Sequence, residues 1–261
     1  MTLGIVLTVL GIAIGGVALA SLFEMIKLKL ALKEALGAVL FVFIFGALAV
    51  LFNIFVLPYR LQWITDILMG VTVLMLFTVL FFFRNPDREI TAGPGDILSP
   101  ADGVIDLIDE DTKINGIPGK AKRISIFLSL FNVHVQRMPV SGKIEKIIPV
   151  DGKLLPAFLG ESSEKNRHNV YVIKGSIPVV IRQISGIVAQ RPVAWAKEGD
   201  ELSIGDRIGI IKFGSRVDIF FPADVELKAV KDMPVRAGET LLGVSVNNSA
   251  AKSTVRKKKA K

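Results

Sequence analysis

Hydrophobic positions follow two different patterns along the 261-residue chain, and the change comes at Phe83. Before it the apolar residues run on without charge, over residues 3–23, over 35–57 and from Ile67 to Phe83. A bilayer core of about 30 Å takes roughly 20 apolar helical residues, with about 17 as the lower limit. The first two runs meet that length. The third stands at the limit, as a span or as a re-entrant or buried helix, and Tyr59 and Trp63 occupy places suited to interfacial aromatics. After Phe83 the pattern becomes short β-branched runs separated by Gly, Pro and Asp. Strands are predicted at Val104–Ile108, Arg123–Leu130, Val133–Val135, Lys143–Val150, Val170–Ile173, Val179–Ile184, Ile208–Phe213 and Val217–Phe221. Strands at this spacing predict a barrel or sandwich, with a helical turn expected only around Pro156–Gly160.

The expected organisation is a membrane region of two to three transmembrane helices over 1–83, a β-rich domain over 84–247 and a basic disordered tail over 248–261. Residues 3–23 invite a second reading as a secretory signal, because Ala18-Leu19-Ala20 resembles a cleavage site. No Lys or Arg precedes the run and it is long for a signal core, which favours a retained helix. Lys27, Lys29 and Lys33 lie between the first two runs, and only Arg60 between the second and third. With three spans, the positive-inside bias puts the lysine-rich loop and the β-rich domain in the cytosol. With two, the same rule puts the domain outside. The absence of cysteine is compatible with a cytosolic domain.

Charge changes the picture little. Lys252, Arg256, Lys257, Lys258, Lys259 and Lys261 account for six of the eight net positive charges, so the basicity belongs to the tail. Near a bilayer each such residue adds about 1 kcal/mol of attraction to anionic lipid. Nucleic acid is the weaker partner, since no aromatics interleave with the tail.

Lys197-Glu198-Gly199-Asp200 and Val235-Arg236-Ala237-Gly238-Glu239 each place a Gly-acid turn before a strand. These stretches look like biotinyl- or lipoyl-type carrier domains, which implies barrel-sandwich hybrid strands and keeps a membrane-tethered, non-enzymatic carrier or adaptor as the alternative function. A carrier needs a modifiable lysine at a hairpin tip, and Lys231-Asp232-Met233 matches that poorly.

The chemical inventory is short. With no cysteine and only His134 and His168, a Cys/His zinc site is excluded, and no glycine-rich phosphate loop is present. In Phe131-Asn132-Val133-His134-Val135-Gln136-Arg137, strand alternation sets His134 and Gln136 opposite Val133 and Val135. Taken singly, a strand histidine is more often structural than catalytic, Asp102-Gly103 is a common turn pair, and Gly214-Ser215 is another. His168 reads as a loop residue.

Taken in order, the segments carry more. Arg84-Asn-Pro-Asp-Arg88, Ser99-Pro-Ala-Asp-Gly103, Phe131-x-Val-His-Val-x-Arg137-x-Pro139-x-x-Gly142, Gln183-Ile-Ser-Gly186 and Phe213-Gly-Ser-Arg-Val-Asp218 follow one another. Over roughly residues 81–245 this set resembles the short archaeal and bacterial type of phosphatidylserine decarboxylase, including enzymes for the ether-linked archaetidylserine. The resemblance implies self-cleavage between Gly214 and Ser215, with the Ser215 hydroxyl attacking the Gly214 carbonyl. Elimination and loss of ammonia then turn residue 215 into a pyruvoyl group, with no metal and no pyridoxal phosphate. That carbonyl would form a Schiff base with the amine of a serine phospholipid and act as the electron sink for loss of CO₂. By the same resemblance His134 is the candidate base and Asp102 orients it. Longer members carry a second histidine where Arg137 stands here. Arg137, Arg191 and Arg216 are candidates for holding phosphate or carboxylate, and Phe131 and Phe213 for lining the site. Fragments 1–214 and 215–261 would stay together as a non-covalent heterodimer, open to higher oligomers, in a multi-pass membrane protein with a cytoplasmic catalytic domain.

Overall fold

The computed structural model describes residues 31–55, 62–153, 155–156, 162–186, 192–212 and 215–245. The apolar run at 3–23, the basic tail, Arg191, Phe213, Gly214 and most of the turn expected at Pro156–Gly160 lie outside the described residues. The chain separates into two compact units, Met1–Asp87 and Arg88–Lys261.

In the first unit, helices α1 (Leu32–Phe55) and α2 (Gln62–Phe82) are each long and apolar enough to cross a membrane. Helix α2 starts at Gln62, well before the uncharged run, and its 21 residues extend about 31 Å at 1.5 Å per residue. Their surfaces invert the rule for water-soluble helices. Leu36, Phe41, Ile44 and Leu48 on α1, and Ile67 and Leu74 on α2, are exposed, while Ala35, Val42, Ala49, Thr65, Met69 and Thr72 are buried. Gly46 lets the backbones approach, since a Cβ there would stand 3.0 Å from Thr72 Cγ2. Slender residues inside and bulky apolar ones outside is the packing that suits lipid. The Thr72 and Thr78 hydroxyls donate to the carbonyls of Leu68 and Leu74, both at 2.8 Å, so neither is left unsatisfied on an apolar helix.

The second unit is mainly β. Its strands are β1 (Asp96–Leu98), β2 (Gly103–Thr112), β3 (Ala121–Leu128), β4 (Val135–Arg137), β5 (Gly142–Val150), β6 (His168–Gly175), β7 (Val179–Ser185), β8 (Val193–Ala194), β9 (Glu201–Leu202), β10 (Arg207–Ile210), β11 (Ser215–Pro222), β12 (Val225–Leu227), β13 (Pro234–Val235) and β14 (Leu241–Ser245). A single short helix, α3 (Ser162–Lys165), precedes β6 among the described residues. Eight strands form one sheet in the order β13-β2-β3-β11-β7-β6-β5-β9, and the others form two three-stranded sheets, β1-β14-β12 and β4-β10-β8.

Strand β11 lies inside the large sheet, antiparallel to β3 on one side and β7 on the other. Val217, Ile219 and Phe221 face the main core with Ile124, Ile126, Leu128, Ile181 and Tyr171. On the opposite face Phe220 packs with Ile117, Ala121, Val172 and Val180. Both faces of β11 are buried, and the face of Phe220 also carries the buried Arg216 and Asp218.

The β-rich expectation holds, with three local corrections. The strand expected to reach Leu130 stops at Leu128, because Asn132 Oδ1 accepts from both the N–H and the Oγ of Ser129 and closes a turn. The strand expected at Val133–Val135 is Val135–Arg137, so His134 stands just before it. His168, expected in a loop, opens β6 and is buried.

Candidate active site

Ser215 is the first residue of β11, in register with Leu128 on β3 and Ser185 on β7. The alternation that sends Val217 and Ile219 into the core sends the Ser215 side chain the same way. Its residue is fully buried, and Oγ has no hydrogen-bond partner among the described residues. Ser185, beside it in the same row, is satisfied by donating from Oγ to the Arg167 carbonyl at 2.8 Å. A buried hydroxyl without a partner costs about 1–3 kcal/mol. Taken alone Gly214-Ser215 reads as a turn pair; its ordering at the start of a strand comes from partners on both sides, which local turn chemistry does not reveal.

His134 is fully buried. Its Nδ1 lies 3.0 Å from the Asn132 carbonyl oxygen, which can only accept, so Nδ1 carries the proton and Nε2 is the basic nitrogen of the neutral ring. The Ser129–Asn132 turn therefore fixes the tautomer. The His134 carbonyl accepts the N–H of Ile211 at 3.2 Å. Ser215 is four residues on from Ile211, a reach of at most about 14 Å, so the segment leading into Ser215 starts at the histidine.

Asp102 does not take its hydrogen bonds from His134. Nη2 of Arg88 donates to both of its oxygens, at 3.1 and 2.9 Å, and the Ala237 N–H donates to Oδ1 at 2.8 Å. The Asp102 and Arg88 side chains are only 9% and 2% exposed, and removing one partner of such a pair costs about 3–5 kcal/mol. Its link to the histidine strand is through the backbone: the Arg137 N–H donates to the Pro100 carbonyl at 2.9 Å. Gly103 follows because a Cβ there would meet the Phe127 carbonyl oxygen at 2.2 Å. The Asp-Gly pair thus leads into a strand pressed on β3.

The arginines divide. Arg137 is buried, and its Nη1 donates to the Gly205 carbonyl at 2.9 Å. Arg216 extends from the face opposite Ser215 into an ion pair with Asp106, whose side chain is half-buried. Both guanidinium groups thus have protein partners. Phe131 stands on the turn three residues past Leu128 and is 77% exposed.

Asp218, three residues after Ser215, lies on the Arg216 face. Its Oδ1 accepts from Ser125 Oγ at 2.7 Å and lies 3.4 Å from Ser163 Oγ, while Oδ2 has no hydrogen-bond partner among the described residues. Burial raises its carboxyl above the ordinary 3.8, opposed by Ser125, Arg123 and Arg216. Between 3.8 and that raised value the folded state holds more proton than the unfolded state, so stability falls as pH rises through the window. Asp218→Asn cannot ionise and should lose this slope. Urea midpoints of the purified protein, followed upward from pH 4 or so, would show it; an unchanged slope in the variant would assign the effect elsewhere.

Arg88, Gln183 and Asp218 all stand within the ordered segments of the sequence but received no role there. Only the fold shows that they are buried and what they bond.

The family model described as phosphatidylserine decarboxylase matches residues 75–243. A protein of Desulfotalea psychrophila named phosphatidylserine decarboxylase proenzyme is 39% identical over 180 residues, which is 68% of this chain and 84% of the relative. Proteins of the same name from Syntrophus aciditrophicus and Carboxydothermus hydrogenoformans are 40% and 43% identical, each over 178 residues. Those alignments take in 66% and 67% of this chain, and 84% of either relative.

Proposed function

The chain belongs to the phosphatidylserine decarboxylase family of carboxy-lyases, and from that premise we propose that it matures by cleaving itself between Gly214 and Ser215 and uses residue 215 as a pyruvoyl group. The substrate is a serine phospholipid, phosphatidylserine or its ether-linked counterpart, and the product is the ethanolamine lipid. The observation that carries the maturation step is the buried Ser215 hydroxyl without a hydrogen-bond partner among the described residues. Such an atom is a standing cost unless the chemistry uses it. Family membership leaves the carrier or adaptor alternative without support.

In this reading His134 Nε2 takes the Ser215 hydroxyl proton as Oγ bonds to the carbonyl carbon of Gly214, and returns it to the residue 215 nitrogen as the peptide C–N bond breaks, giving an ester and a free amine. Removal of the α-proton of residue 215 expels the Gly214 carboxylate and leaves dehydroalanine, and water then releases ammonia. The residue that remains fits its surroundings: Leu128, Ile126 and Val217 give it apolar walls, and its strand neighbours hold its backbone on both sides. Once formed, the group supplies a carbonyl electron sink for decarboxylation. The apolar walls disfavour the substrate carboxylate relative to neutral CO₂, because burying an unpaired charge is costly. Asp102 acts as a positioning residue, holding the 99–102 loop through Arg88 and Ala237 so that Pro100 meets Arg137. Phe131 and Phe213 are assigned to the lipid-facing edge, and Arg191 is kept as the phosphate candidate.

The apolar helices α1 and α2 make the protein membrane-associated. Adding 3–23 as a third span places the β-rich unit in the cytosol, with the basic tail available to anionic lipid. Fragments 1–214 and 215–261 are expected to remain together, because β11 stays paired between β3 and β7.

Intact-mass measurement of the purified protein tests the maturation. Two chains are expected, one ending at Gly214 and one whose residue 215 lacks a free amine, with CO₂ released from carboxyl-labelled serine lipid. CO₂ release from a single uncut chain would refute the self-cleavage and leave the family assignment standing. Ester- and ether-linked lipids assayed side by side identify the backbone.

A further inference from the structure

Three buried side chains form a one-way run of hydrogen bonds that the chemistry above leaves unused. The Tyr171 hydroxyl donates to Gln183 Oε1, Gln183 Nε2 donates to Gln136 Oε1, and Gln136 Nε2 donates to the carbonyl oxygen of His134, each at 2.7 Å. Tyr171, Gln183, Gln136 and His134 are all at 0% exposure. The direction is forced, because the final carbonyl only accepts and each amide must then turn its oxygen toward the donor behind it. Burial raises the Tyr171 phenol above its ordinary range, so the hydroxyl keeps its hydrogen.

The backbone is built around this run. Gly209 pairs with Gln136 on neighbouring strands, and a Cβ on it would stand 2.8 Å from Gln183 Nε2 and 3.2 Å from the Tyr171 hydroxyl. Apolar side chains of equal shape would fill the same core at little or no cost in stability, so stability alone does not account for the amides. Gln183 shares its sheet face with Ser215, one row further along β7 and β11. The run ends on the one His134 oxygen that also accepts the Ile211 N–H.

Resting on the reading of His134 as the base of self-cleavage, we infer that Gln136 and Gln183, backed by Tyr171, are positioning residues that hold the imidazole and the approach to the scissile bond in reacting register.

The test is the combined variant Tyr171→Phe, Gln136→Leu and Gln183→Leu in the full-length precursor. It leaves no obvious orphan, since Asn169 Nδ2 keeps the Pro192 carbonyl at 3.1 Å and the His134 oxygen keeps Ile211. Its melting temperature should stay at or above that of the parent while self-cleavage slows about tenfold or more. The His134 ring ¹³C signal, one of two histidine signals in this chain, should move while that of His168 does not. A parental cleavage rate, or an unmoved His134 signal, overturns the inference. Should the combined variant fail to fold, Tyr171→Phe alone removes a single hydroxyl. Slower cleavage at an unchanged melting temperature then supports the inference, and the parental rate overturns it. His134→Ala is run alongside: if it cleaves normally the base assignment fails, whereas slow His134→Ala with a normal combined variant refutes the positioning run alone.

Discussion

The Ser215→Ala protein is expected to stay one uncut chain of 261 residues and to release no measurable CO₂ from serine phospholipid. The effect is total rather than graded, since on the proposed route the oxygen that Ser215 supplies would be both the attacking nucleophile and, after ester formation, part of the leaving group. Without it neither the cut nor the carbonyl at residue 215 can form. The fold gives the prediction a second part. Oγ has no hydrogen-bond partner among the described residues, so its removal orphans nothing and relieves a buried hydroxyl worth about 1–3 kcal/mol. The variant should therefore melt at or above the temperature of the uncut precursor. Intact mass, a CO₂ assay and a thermal melt on one preparation check all three. A cut at 214/215, or decarboxylation by the uncut variant, would remove Ser215 from its proposed role.

His134→Ala should accumulate precursor, with self-cleavage slowed by about 10²–10⁴, the range for a positioned general base. The Asn132 carbonyl fixes the proton on Nδ1, leaving Nε2 as the nitrogen able to accept from a hydroxyl. Truncating a fully buried ring also leaves a void and an unsatisfied carbonyl, and the cost of those must be separated from lost chemistry. His134→Gln fills most of the space and can still donate to Asn132, but it carries no basic nitrogen. Both variants should be slow, and only the alanine should melt much lower. Gel time courses of freshly synthesised precursor give the rates, and cleavage of either variant at the parental rate would point to a different base.

Much of the β-rich unit was legible because its strands are β-branched runs closed by Gly, Pro and Asp, a signal that is local. Gly199 and Gly238, read as turn glycines, indeed adopt φ of 91° and 74°. Ser215, His134 and Asp102 were legible as members of an ordered set, and the set says nothing about their bonding. That Asp102 is tied to Arg88, that Arg216 serves Asp106 on the far face, and that Asp218 is buried beneath Ser163 all depend on which segments the fold brings together. These partners are 14, 110 and 55 residues apart, and no local periodicity encodes a register of that range. The placement of His134 just ahead of its strand was missed for a smaller reason. The Asn132 side chain closes a turn that the Val-His-Val alternation disguises.

The position of β11 between β3 and β7 has a consequence for the lifetime of the protein. Its hydrogen bonds run to strands on both sides, so this strand can be seated only while the sheet is being assembled, when one continuous chain supplies the entropy of connection. Cutting at its first residue, as proposed, would erase that connection after it has served. A precursor, uncut, keeps the instructions for refolding in one piece. The mature protein, once dissociated, would leave a piece of 47 residues (215–261) that keeps the β12–β14 pairing but holds neither of the strands that flank β11. Maturation by this route would be a ratchet: the protein gains its reactive end and gives up the means to be made twice.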